Sequence, residues 1–338
     1  MLTGFSKTGF RRQDSLGHYI DLPEGQRAEP RLRRALPRAL TQREGAPPSL
    51  ALDTPFETLL KAKPGRQFDG ALRTPESEII CHVITRGNNR PGLPMLGITL
   101  KHPALGPETA HLIFCDTQET LREPGVTRPD LGPDALFEAE ALGHELVATC
   151  SKNALRSQRT RLTLSFSDTV LPGLSALIVE DFAPLPQAND PASKITKACR
   201  IHASDYLDYY FLETLIGNAD HSFTIEPGRF LRAHNVHLSV TGHHIIPVPF
   251  DFQFTALTHP HYLRLPSCDP HVSARVLTRS FSDFLRRLGF AAAPYVQMCL
   301  VSSRFLEAKS QDCAFAREML AYCQTVEATL RESVTLRN

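Results

Sequence analysis

The periodicity of the chain changes part-way along, and that change constrains the fold more than any other feature. Up to residue 182 the apolar residues come in short β-type runs: SEIICHVIT (77–85), PMLGITLK (94–101), TAHLIFC (109–115), RTRLTLSFSDT (159–169) and GLSALIVEDF (173–182). β-branched and aromatic residues fill these runs, and turn-formers such as RGNNRPG (86–92) separate them. One helix interrupts them. In PDALFEAEALGHELVATC (133–150), Pro133 suits the first turn and Leu136, Ala139, Leu142, Leu146 and Val147 recur at helical spacing. SLALDTPFETLLKA (49–62) reads as a strand or a short helix. From residue 192 the spacing is helical. ASDYLDYYFLETLIG (203–217) is apolar at Tyr206, Tyr209, Tyr210, Leu212 and Ile216, and 270–335 reads as three helices with breaks near Gly289 and Ser310. Between them NVHLSV and HHIIPVPF predict a hairpin about Thr241-Gly242. Five strands with one inserted helix predict a small β-rich lobe over 49–182, followed by a mainly helical lobe over 183–338. Residues 1–48, rich in Arg, Pro, Gly and Gln, carry no apolar period and read as an irregular segment.

With 338 residues the chain can bury a large core without covalent staples. Its 37 Lys and Arg against 36 Asp and Glu give a net charge of +1, which argues against nucleic acid or an anionic membrane as the main partner. The exception is local, where Arg27, Arg31, Arg33, Arg34, Arg38 and Arg43 crowd together. The eight cysteines form no C-x-x-C pair and read as free thiols. Residues 1–20 hold Lys7, Arg11, Arg12 and Asp14 and lack an apolar h-region, so a cytoplasmic protein is expected.

The segment IGNADHSFTIEPGRFLRAHNVHLSVTGHHIIPVPFDFQF (216–254) carries the chemistry. A helix ends at Gly217-Asn218, a loop presents Asp220, a strand opens at Asn235, and the hairpin returns to Asp251. Two carboxylates and an amide in this order suit phosphoryl transfer: one carboxylate takes a proton from the acceptor hydroxyl, while an Asn and a second carboxylate hold Mg²⁺.

On these residues the chain resembles the CotH-like atypical protein kinases and, more distantly, the HipA-like kinases. Asn218 and Asp220 match the family's N-x-D loop, Asn235 its strand-opening Asn, and Asp251 its P-x-D turn. Upstream, Arg86-Gly87-Asn88 is similar to the family's RGN turn, with Asn89 after it. Lys101 is similar to its strand lysine and Glu140 to its helix glutamate, with Glu138 the alternative. The resemblance implies an α+β, atypical protein-kinase-like two-lobed fold and an ATP- and Mg²⁺- (or Mn²⁺-) dependent phosphotransferase acting on Ser or Thr hydroxyls of a protein substrate. It places Asp220, helped by Asn218, at the catalytic position, Asn235 and Asp251 on the metal, and Arg86, Gly87, Asn88, Asn89, Lys101 and Glu140 around the nucleotide. The family's turn has a second acid where this chain has Gln253. That change motivates two alternatives, a pseudokinase or nucleotide-binding interaction module and a protein AMP-transferase on the same fold.

Other residue types speak less strongly. His221, His234, His237, His243 and His244 fall near this segment, but none of them shows a helical metal-ligand spacing, and His243 and His244 point to opposite faces of a strand. His202 and Cys199 stand too isolated to form a nucleophile pair. The aromatics of DYLDYYF read as helix packing.

Overall fold

The computed structural model describes residues 20–21, 34–41, 46–86, 93–102, 106–115, 134–181, 200–218, 221–226, 229–234, 236–241, 244–252, 255–258 and 269–335. Seven strands close into a barrel: β2 (Ser49–Leu52), β3 (Gln67–Arg73), β4 (Glu78–Arg86), β5 (Met95–His102), β6 (Gly106–Phe114), β8 (Val170–Glu180) and β7 (Ser157–Ser165), in that order round the wall. Neighbours pair antiparallel except at the closing seam. There β2 runs parallel to β7, with Ser49 opposite Thr163 and Ala51 opposite Ser165. Alternation along β4 shows why the wall curves round a core. Ile79, Cys81, Val83 and Thr85 are buried inside, while the alternate residues from Glu78 to Arg86 face outward. The interior is packed with side chains, among them Leu50, Leu72, Leu96, Leu100, Leu112 and Leu162, and is a core rather than a ligand cavity. A short helix, α1 (Arg38–Thr41), sends Leu40 into that core, and α2 (Phe56–Leu60) adds Leu59.

One outer face of the barrel is apolar. Ile113 and Cys115 at β6, with Leu177 and Val179 on β8, pack against Phe137 and Ala141 of α3 (Ala135–Cys150). They also meet Ile246, Val248 and Phe250 from the end of a hairpin, β12 (Val236–Thr241) and β13 (His244–Pro249). The opposite face of α3, with Ala139, Leu142, Leu146 and Val147, enters the core of the helical region. α3 is therefore buried nearly all round, as a helix apolar on every side should be. The helical region adds α4 (Ala203–Ile216), α5 (Pro270–Arg287), α6 (Ala293–Ser310) and α7 (Ala314–Thr335). It also holds the short parallel pair β1 (Ile20–Asp21) and β9 (Ile201–His202), and the hairpin β10 (Ser222–Glu226) and β11 (Arg229–His234).

The barrel overturns the kinase-like expectation. A kinase small lobe is an open twisted sheet, whereas here the sheet closes on itself through β2 and β3. Five strands were expected and seven are present. The chain is thus not the two-lobed CotH-like kinase that its motifs resemble. Among the described residues, no helix is long and apolar enough to cross a membrane.

Candidate functional site

The most unusual side chains of the molecule gather where α4 ends and the chain leaves β13. α4 stops at Gly217, which takes a left-handed conformation (φ 75°) that a side chain would strain. A Cβ there would also lie 2.9 Å from the Tyr322 ring and hydroxyl. The Asn218 and Gly217 amides close the helix on Glu213 O and Thr214 O. Asn218 itself is buried, and its amide donates to Asp251 O at 3.3 Å. Gly217 O accepts from Ala256 N, 2.8 Å away, which ties the segment after Asp251 to the same helix end.

Asp251 is held in the left-handed region with φ 64°, the one non-glycine there among the described residues. Such a conformation costs on the order of 1 kcal/mol and persists only where the surroundings impose it. α3 supplies the constraint. The carboxylate of Glu140, with no exposed surface, accepts from Phe252 N at 2.7 Å, and His144 Nε2 lies 3.3 Å from its other oxygen. His144 in turn packs its ring edge against Phe252 and Phe250. Gly143 admits Phe252, since a Cβ there would come within 2.5 Å of the ring. Glu140, Gly143 and His144, within little more than one turn of α3, therefore grip the 250–252 turn.

Glu213 sits on the buried side of α4 with no exposed surface. Neither carboxyl oxygen meets a hydrogen-bond donor among the described residues. Burial pushes its pKa well above the ordinary carboxylate range. The Asn218 side chain draws it part of the way back, and the nearby Asp251 carboxylate pushes it up again. One turn earlier, burial raises the Tyr209 phenol well above its usual value, and Glu213 raises it further. Tyr209 Oη is 2.7 Å from His221 Nδ1, whose ring stacks edge-on against Tyr209. The arrangement is an acidic seam: a buried carboxyl, a second carboxylate on a constrained turn, and the Asn218 amide beside both.

Of the expected site residues, Asn218 and Asp251 meet here. Asp220, Asn235, Gly87, Asn88, Asn89 and Gln253 lie outside the described residues. Lys101 and Glu140 are not brought together. Lys101 is exposed on the outer face of β5, opposite Pro107. The other end of that strand, at Met95, is the end that packs beside Val248 and Phe250. Six residues of strand put Lys101 about 20 Å from it. Glu140 serves Phe252 N instead, and Glu138 is bound through both oxygens to Arg159 Nη1 at 2.8 and 2.9 Å. Arg86 lies across Gly97 on the outside of the barrel, where a Cβ would come within 2.9 Å of its Nε. The expectation of a phosphotransferase falls with the barrel and with the lysine that points away. Among the described residues, no group of three or more His, Cys, Asp or Glu side chains could hold a metal.

Sequence reasoning passed over Glu213 and His144. A signal for Glu213 was present. It falls on the stripe marked by Tyr206, Tyr209, Tyr210 and Ile216, where a charged residue is out of place. Comparison of the chain with family models, curated proteins and solved structures finds no match.

Proposed function

We propose that this chain is a binding module for a cationic organic group, an ammonium or guanidinium, received at the acidic seam between the end of α4 and the 250–252 turn. The observation that carries this reading is Glu213, a fully buried carboxyl whose oxygens meet no donor among the described residues. A buried polar group without a partner costs about 1–3 kcal/mol, and an N–H-bearing cation removes that cost by supplying both charge and donors. Asp251, partly exposed, lies near enough for its carboxylate to act on Glu213 and adds a second negative group to the seam. α3 keeps the turn that carries Asp251 in place through Glu140. A lysine or arginine side chain of a partner protein offers this chemistry, and so does a free amine.

The test is calorimetric titration and thermal shift of the full chain with putrescine, agmatine and Lys- or Arg-containing peptides. Peptide binding without amine binding identifies a protein source, and the reverse identifies a small molecule. Glu213→Gln and Asp251→Asn are each expected to weaken binding at least about tenfold while the far-ultraviolet dichroism stays unchanged. Binding equal to wild type in both variants, or no binding by any probe, overturns the reading. A response to Mg²⁺ or Mn²⁺ alone would overturn it in favour of an inorganic ion.

A further inference from the structure

Two histidines far apart in the sequence meet at the other end of α4. His202 closes β9 immediately before the helix, and His244 opens β13. Their backbones are locked together. Ile245 N donates to Arg200 O at 2.8 Å, and Arg200 forms a parallel bridge with His244. The two rings stack with centroids 4.1 Å apart and planes 23° from parallel. His202 is 7% exposed, and the Nδ1 atoms of both rings are buried without a hydrogen-bond partner among the described residues. Core histidines ordinarily satisfy their ring nitrogens, and leaving one bare is costly. Two such nitrogens in one contact need a reason that apolar packing does not supply.

We infer that His202 and His244 form a two-imidazole site for a borderline divalent transition-metal ion, of which Zn²⁺ is the representative. The bare Nδ1 lone pair of a neutral imidazole is the donor such ions prefer, and one that Mg²⁺ and other hard ions avoid. In the stack the ring planes are 23° from parallel, so the two nitrogens share an ion only once a ring turns. The imidazole χ2 torsion is soft, so turning one or both rings brings the two nitrogens to a shared ion at about 2.0–2.1 Å. Two protein ligands leave the remaining positions to water that enters with the ion as the rings turn, so the site is exchangeable rather than a closed structural one. It is independent of the acidic seam, because α4 spans 14 residues, about 20 Å, between the two.

The full-length protein with ¹⁵N-labelled histidine decides the matter. Long-range ¹H–¹⁵N correlation spectra should show the Nδ1 resonances of His202 and His244 moving on addition of Zn²⁺ and staying fixed with Mg²⁺. In parallel, His202→Ala and His244→Ala should each lower Zn²⁺ affinity at least about tenfold. Zn²⁺ that binds without moving these two Nδ1 signals overturns the inference, as does the absence of Zn²⁺ binding. The spectra are read on the wild-type chain, so the outcome stands even where a variant folds poorly.

Discussion

The barrel and the helical region bury very different things. Inside the barrel wall the core is almost wholly aliphatic, and its buried carboxylate, Glu180, lies at one end, where the backbone amides of Arg34 and Arg156 satisfy it at 2.6 and 3.0 Å. The helical region and its seam with the hairpin bury Glu140, His144, His202, Asp205, Asp208, Glu213 and Asn218. Interior polar groups cost stability, so a fold tolerates them where they position or bind something. The contrast separates a scaffold from a working part, and it can be tested by damaging each in turn.

The largest effect is expected in the scaffold. Leu112→Ala in the barrel core should cost about 3–4 kcal/mol, read as a fall in the urea midpoint with an unchanged slope. Any surviving folded protein should keep its affinity for the amine probes. Glu140→Gln comes next. It leaves an amide where a buried carboxylate received Phe252 N, at about 2–3 kcal/mol, and should also loosen the 250–252 turn. Amide exchange at Phe252 should therefore rise by more than the global stability loss explains, and equal losses everywhere would deny α3 its grip.

Asp181 gives a pH-dependent comparison. Hydrogen bonding to His111 holds its carboxyl down at about 2 despite partial burial, with Arg34 assisting. The folded value lies below the unfolded one of about 3.9, so its contribution, about 2 kcal/mol, is complete above pH 4 and is lost as the pH falls towards 2. Asp181→Asn should remove that amount at neutral pH and flatten the acid limb of the stability curve. An acid limb as steep as that of wild type would assign the effect to other carboxylates. The smallest effect is expected at Glu213. Burial disfavours its charged form and pushes its pKa well above the ordinary carboxylate range, so the nearly isosteric Glu213→Gln should change stability by less than about 0.5 kcal/mol while weakening cation binding at least about tenfold. A loss above 2 kcal/mol would make Glu213 a structural group and erase the distinction between the two regions.

Most elements were legible because their signals are local. The helix at Ala135–Cys150, the three C-terminal helices and the hairpin turning between Thr241 and His244 all follow from periodicity and breakers. The architecture was not legible, and β3 shows why. In QFDGALR only Leu72 is buried, and Asp69 and Gly70 break the β pattern. Yet β3 and β2 are the strands that turn an open sheet into a barrel. Closure also requires β2 to find β7, a parallel pairing that leaves no trace in either segment. The site was half visible. Asn218 and Asp251 stood out as polar residues beside helix and strand ends. Glu140 was singled out as the partner of a lysine, but its partner is a backbone amide delivered by a turn more than a hundred residues away. The His202–His244 contact likewise depends on β9 meeting β13, which neither residue announces.

The parallel seam has a consequence for how the chain comes to be folded. During synthesis β2 emerges early, but the strand that completes its hydrogen bonding is made only after β3 to β6 and α3. Until Thr163 to Ser165 leave the ribosome, β2 has one partnered edge and one bare edge. Closing the ring is therefore a late, long-range event, expected to be slow and to leave the nascent barrel open to wrong edge pairing in the meantime.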